Sequence, residues 1–257
     1  MKNVIIGIIE VLLAVSIVVF LVIYFIQNRE YEKGAEEYSR LSEYAAEGVR
    51  GEDKDLAQRL REAGIPQLEV DFEGLSGKND ELTGWIYLPG LDISYPVVQG
   101  EDDEFYLHHT FEKEENSGGC IFLESLSSAD MTEFNTFLFG HNMKNGSMFG
   151  SLKKYIREEG TFENNREFYY YTPENACRYE IYSYYIADPD SHTFFLCENE
   201  KEYEEYQQMA LEESAADCGV KPDTEHSTLT LATCSGSGAN KKRLVVHGIL
   251  RDKVVTR

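Results

Sequence analysis

From Trp85 to its C-terminal end the chain repeats one texture, and no other feature limits its possible folds as strongly. Short runs rich in Tyr, Phe, Val and Ile are separated by turn residues: "WIYLPG", "ISYPVVQ", "GCIFLES", "NTFLFGH", "EFYYYTP", "RYEIYSYYIAD", "STLTLATC" and "RLVVHGILR". Aromatic and β-branched side chains suit a pleated, half-buried surface, and most of these runs are too short for the three turns of an ordinary helix. Eight of them predict a closed β-barrel or a sandwich rather than a parallel α/β sheet. One interruption differs in period. "ENEKEYEEYQQMALEESAAD", Glu198 to Asp217, sets Tyr203, Tyr206 and Ala210 on one helical face and acids on the other. It predicts a helix inserted between the last strands.

The N-terminal end belongs to another class. "VIIGIIEVLLAVSIVVFLVIYFI", Val4 to Ile26, is about 23 residues long with only Glu10 against its apolar character. At ~1.5 Å rise per residue such a helix crosses a hydrocarbon core of ~30 Å. The run ends in "YFIQNREYEK" rather than at a small-residue cleavage site, which predicts an uncleaved anchor. Lys2 precedes the span while Arg29 and Lys33 follow it among glutamates, so the positive charges nearly balance; the short N-terminal flank favours a cytoplasmic N-terminus and an extracytoplasmic body. From Glu30 to Glu62, Tyr38, Leu41 and Tyr44 recur at helical spacing, and "GIPQ", with Pro66, ends the segment. The expected organisation is a tail and transmembrane anchor over 1–29, a juxtamembrane helical segment over 30–67 and a β-domain over 68–257.

A formal net charge of −22 argues against nucleic-acid binding, which needs clustered Lys and Arg against phosphates. The five cysteines, Cys120, Cys177, Cys197, Cys218 and Cys234, include no CxxC and no Cys/His pair at zinc-ligand spacing, so no metal site is expected from them. Outside the cytoplasm pairs of them would oxidise, and an odd count leaves at least one thiol over.

The chemistry-bearing candidates sit at the ends of predicted strands. In "STLTLATC" Leu229 and Leu231 alternate with Thr228, Thr230, Ala232 and Cys234; with the leucines in the core, Cys234 belongs to the more polar face. In "RLVVHGIL" Leu244, Val246 and Leu250 share one face and Arg243, Val245 and His247 the other. A hairpin would bring Arg243 beside Cys234, a cation next to a thiolate or a developing oxyanion. A cysteine nucleophile also needs a proton carrier. Of the six histidines, His141 is best placed, because "TFLF" runs straight into a Gly-His-Asn turn. Spacing alone leaves the ordinary readings open: Cys234 as a buried small hydrophobe, and His141 and Arg243 as surface or structural residues. The loop "SGSGANKK" lacks the GxxxxGK[ST] spacing of a phosphate loop and reads as a flexible connection with solvated lysines.

At these residues the chain resembles the sortases, the membrane-anchored cysteine transpeptidases of Gram-positive bacteria. "TLTLATC" matches their TLxTC signature, and Arg243 falls where their arginine stands on the following strand. "GWIYLPGLDISYPVVQG" is similar to their first barrel strands, "DDEFYLHHTFEKEENSGGCIFL" to the segment after them, and "FGHNMKNGSMFGSL" to the histidine-bearing segment. The likeness covers about Leu68 to Arg251, and the "GHNM...GSMFGSL" phrasing, the helices before the barrel and the inserted helix resemble class B. The resemblance implies an eight-stranded sortase β-barrel without cofactor. It implies Cys234 as nucleophile on the threonine carbonyl of a sorting motif, Arg243 as oxyanion and substrate holder, and His141 as proton donor and acceptor. The neighbouring Asn142, Thr233 and Ser235 are expected to contact substrate. Ala232 stands where class B members often carry serine, so a side-chain hydrogen bond from that place is missing.

Implied partners are secreted proteins bearing a sorting signal, the membrane, and an acceptor amine from a peptidoglycan precursor or, in pilus-building members, a pilin lysine. Two other functions fit the same residues: a pilin-polymerising enzyme, and a catalytically silent peptide-binding module on the same barrel.

Overall fold

The computed structural model describes residues 2–48, 53–234 and 242–257. All eight β-like runs become strands of one closed barrel: β1 (Leu82–Leu88), β2 (Ile93–Val98), β3 (Ile121–Leu123), β4 (Asn135–His141), β5 (Glu167–Tyr171), β6 (Asn175–Ala187), β7 (Thr228–Cys234) and β8 (Arg243–Val255). Around the barrel the order is β8-β6-β5-β1-β2-β3-β4-β7, and β7 pairs with β8 to close it. Closure leaves no free sheet edge, which decides between barrel and sandwich. Neighbours are antiparallel except β2 with β3 and β4 with β7, which run parallel. A parallel pair cannot be joined by a tight turn. The β2–β3 connection, residues 99–120, is therefore a long crossover, and it becomes one wall of the site.

The alternation of β7 and β8 sorts their side chains as expected. Leu229, Leu231, Leu244 and Val246 pack inside the barrel with Leu138 of β4 and Ile86 and Leu88 of β1. The opposite face is more polar in composition but is not left to water. Phe137, Phe139, Ala232 and Val245 belong to a second core with Tyr203, Tyr206 and Ala210, and these last three lie on the inserted helix. Only where that cover stops, toward the ends of β4, β7 and β8, can such a face become a reaction site.

At the N-terminal end α1 (Lys2–Leu41) is a single helix that continues through positions 29 and 30. Its apolar part is long and apolar enough to cross a membrane and is unburied by the rest of the chain. Its last turn docks on the domain through Leu41, which is fully buried. α2 (Lys54–Glu62) is capped by Asp53, whose carboxylate accepts from Leu56 N, and gives way to Gly64 at φ +66 just before Pro66. This is the left-handed stop that "GIPQ" foreshadows. The inserted helix, α3 (Glu200–Glu213), begins at Asn199, whose side chain accepts from Glu202 N. Cys120, Cys177, Cys197 and Cys218 are free thiols, three of them buried.

Candidate active site

Backbone register assembles the site. In the parallel β4–β7 ladder His141 and Cys234 are direct partners. In the antiparallel β7–β8 ladder Ala232 pairs with Val245, and the same register carried on by two residues sets Cys234 opposite Arg243. The three positions thus form a row across three adjacent strands, with neighbouring backbones ~4.8 Å apart. The side chain of Cys234 lies outside the described residues, as do Ser235 and the rest of the loop 235–241.

His141 is half-buried at the end of β4. Its Nε2 donates to the Leu107 carbonyl at 2.7 Å. Because a carbonyl can only accept, Nε2 carries the proton, and in the neutral ring Nδ1 holds the free lone pair. Burial pushes the imidazole pKa below its usual value, the Leu107 bond opposes this, and the charge of His108 adds to it. The ring is therefore mainly neutral at neutral pH. Behind it Gly119 adopts φ +59, and a Cβ there would fall 2.5 Å from the Tyr106 carbonyl oxygen and 3.0 Å from His141 Cδ2. Only glycine combines that backbone conformation with so close an approach.

Arg243 is held differently. Its guanidinium carbon lies 5.4 Å from the centre of the Phe139 ring and 5.5 Å from that of Phe194. Phe139 precedes His141 by one alternation step on β4, and Phe194 belongs to the segment that leads into α3. The aromatic faces attract the cation without accepting its N–H groups. Among the described residues, which leave out the loop 235–241 just before it, the guanidinium has no ion pair.

The remaining candidates separate. Asn142 is exposed and forms an isolated bridge with Met148. Thr233 is buried on the interior side, and its Oγ1 accepts from Leu244 N at 2.9 Å; the hydroxyl fastens β7 to β8 instead of meeting the surface. Ala232 is fully buried beside Val245 in the outer core. His247 shares the Arg243 face but lies under α3, with Nδ1 2.8 Å from Thr230 Oγ1 and its ring stacked on Tyr185; burial alone pushes its pKa down to about 3. His226 contacts Asp223 and His109 stacks on Phe105. Among the described residues no cluster of three or more His, Cys, Asp or Glu is placed to hold a metal ion.

Sequence reasoning missed the Leu107 carbonyl, Gly119, Phe139 and Phe194. Phe139 was within reach, because period-two alternation puts it on the His141 side of β4. Leu107, Gly119 and Phe194 come from connections, where no periodicity announces a contact.

Residues 86–251 match the sortase domain family. Sortase B of Listeria monocytogenes is 30% identical over 196 residues, covering 74% of this chain and 76% of that protein. Sortase B of Staphylococcus aureus is 26% identical over 248 residues, covering 93% of each. Among solved structures, sortase B from Bacillus anthracis in complex with AAEK1 superposes with a TM-score of 0.69 at 28% identity, covering 88% of this chain and 98% of that one.

Proposed function

Because the chain belongs to the sortase family, and within it to class B, a cysteine transpeptidase by homology, we propose that Cys234, His141 and Arg243 carry out its acyl transfer at a membrane surface. The observation behind this reading is the row itself: a thiol-bearing position between a histidine and an arginine on three adjacent strands.

The Cys234 sulfur, as thiolate, attacks the carbonyl carbon of the threonine in a sorting motif, and the carbonyl oxygen becomes an oxyanion. Arg243 stabilises that charge with N–H groups that the faces of Phe139 and Phe194 do not engage. The C–N bond then breaks, His141 supplies a proton to the departing amine, and a thioester joins substrate to Cys234. An acceptor amine attacks the thioester, gives its proton to His141 and releases the thiolate as a new amide forms. Since burial keeps His141 mainly neutral, only a minor fraction of the enzyme carries thiolate and imidazolium together. The apolar part of α1 spans the membrane with its N-terminus in the cytoplasm, a cell-wall amine serves as acceptor, and exposed Asn142 contributes to the substrate groove.

The test is incubation of the full-length protein with sorting-motif peptides and an amine nucleophile. Wild type is expected to give an amide product and a covalent adduct on Cys234 by mass spectrometry, and Cys234→Ala neither. Turnover that persists in Cys234→Ala refutes the reading.

A further inference from the structure

The helix bearing the apolar segment is fastened to the same stretch of chain that holds His141. Tyr38 OH on α1 donates to the Gly119 carbonyl at 2.7 Å. The Glu30 carbonyl accepts from Asn116 Nδ2 at 2.6 Å, and the Glu37 carboxylate accepts from Glu112 N at 2.9 Å. All three partners lie in the 99–120 crossover, whose Leu107 carbonyl accepts a hydrogen bond from His141 Nε2. Within the crossover, Asn116 Oδ1 accepts from Gly118 N at 2.8 Å and Asn116 N donates to the His108 carbonyl at 2.8 Å. The turn 116–119 is thus tied to α1 on one side and lies against the imidazole on the other.

The geometry leaves this turn little freedom. The Cα of Gly119 is so close to the Tyr106 carbonyl and the His141 ring that no Cβ fits, so a shift of its peptide is felt by the ring. The phenol that holds the peptide is itself fixed: Tyr38 packs edge-to-face on Tyr95 at 5.5 Å, and Tyr95 OH accepts from Met148 N at 3.2 Å. We propose that Tyr38 is a positioning residue for His141: its hydroxyl, by holding the Gly119 peptide, keeps the imidazole seated against the Leu107 carbonyl. The alignment of the proton carrier then depends on the helix that leads from the apolar segment, so a disturbance of that helix reaches the chemistry. This rests on the reading of His141 as the proton carrier. A small displacement of such a group lowers turnover steeply, because proton transfer needs hydrogen-bond reach.

The titratable and charged groups facing the imidazole are His108 from the crossover, Cys234 from β7 and Arg243 from β8 at their register positions. Beside Tyr38 itself stand Glu37 and Cys120, whose thiol burial pushes up to about 12. Of these only Cys120, whose thiol is also a hydrogen-bond partner of the Tyr38 hydroxyl, loses a contact in Tyr38→Phe, which retains the packing on Tyr95.

The experiment uses the full-length chain in detergent micelles, as wild type, Tyr38→Phe and the control Tyr31→Phe, an exposed residue on the same helix. With a sorting-motif peptide and an amine acceptor, Tyr38→Phe is expected to lower kcat about 5- to 20-fold with KM within about twofold, while Tyr31→Phe matches wild type. A second measurement needs no substrate: histidine ring resonances are titrated by NMR, with that of His141 identified through His141→Gln. Wild type should show the Nε2–H tautomer. Tyr38→Phe should mix tautomers and move the midpoint by about half a pH unit. A His141 titration identical in the two proteins, even with a lowered melting temperature, makes Tyr38 merely structural and overturns the proposal. Should wild type process no peptide, the NMR comparison still decides the coupling, and the missing turnover counts against the proposed reaction instead.

Discussion

His141 and Arg243 stand one strand to either side of Cys234, yet unlike forces hold them. On the histidine side the contacts are directional: a carbonyl fixes Nε2, a glycine peptide packs on the ring edge, and a phenol holds that peptide. On the arginine side two aromatic faces attract the charge without claiming a donor. The difference suits the chemistry proposed for each group. A proton carrier works only in one tautomer and one orientation, and hydrogen bonds specify both. A cation that must follow a carbonyl as it becomes an oxyanion needs only its location fixed and its N–H groups free.

The harshest way to break this comparison is to remove each flank. His141→Ala should lower kcat/KM by about 10³-fold, and Arg243→Ala by about 10²- to 10³-fold, in the transpeptidation assay. Variants around His141 should also move the pH–rate profile, whereas Arg243 variants should leave its shape intact.

The next effect is on stability, further along the arginine strand where α3 covers it. His247 is buried and neutral, with its pKa pushed down to about 3, while in the unfolded chain it titrates near ~6.5. The unfolded state therefore binds the extra proton first, and the stability this site contributes is present above about pH 6.5 and falls as pH drops toward 3. Between pH 6.5 and 4.5 wild type should lose about 2–3 kcal/mol from this site. His247→Gln should lack that part of the slope in urea melts at both pH values.

Smaller still is the loss of one aromatic face. Phe194→Leu should lower kcat/KM about tenfold at unchanged pH profile, while Phe194→Trp, which restores a face for the cation, should recover most of it. The mildest change is Thr233→Val, which removes the acceptor for Leu244 N and should cost about 1 kcal/mol in denaturant melts. A rise in KM beyond that stability loss would return Thr233 to the substrate-contacting set.

Much of this molecule was legible before any coordinates. The eight runs became the eight barrel strands, and Tyr203, Tyr206 and Ala210 are the buried face of α3. Those signals depend on local period, which each segment carries in itself. The leucine face of β7 was also readable. That the opposite face is buried too was not, because its cover comes from α3, which is remote along the chain. Thr233 shows the same limit. Adjacency to Cys234 suggested substrate contact, but alternation turns its hydroxyl inward, where Leu244 N meets it.

By itself, then, the sequence determined the strands, the apolar helix, the inserted helix and the residue types able to carry acyl transfer, since propensity, periodicity and motif are properties of short stretches. Only the tertiary structure decided that β4 and β7 lie side by side in parallel, which makes His141 and Cys234 partners across 93 positions of chain. It alone brought Leu107, Gly119 and Phe194 against the two flanking side chains. Register between strands distant in sequence arises from closure of the whole barrel and packing of its two cores, and no local segment encodes that.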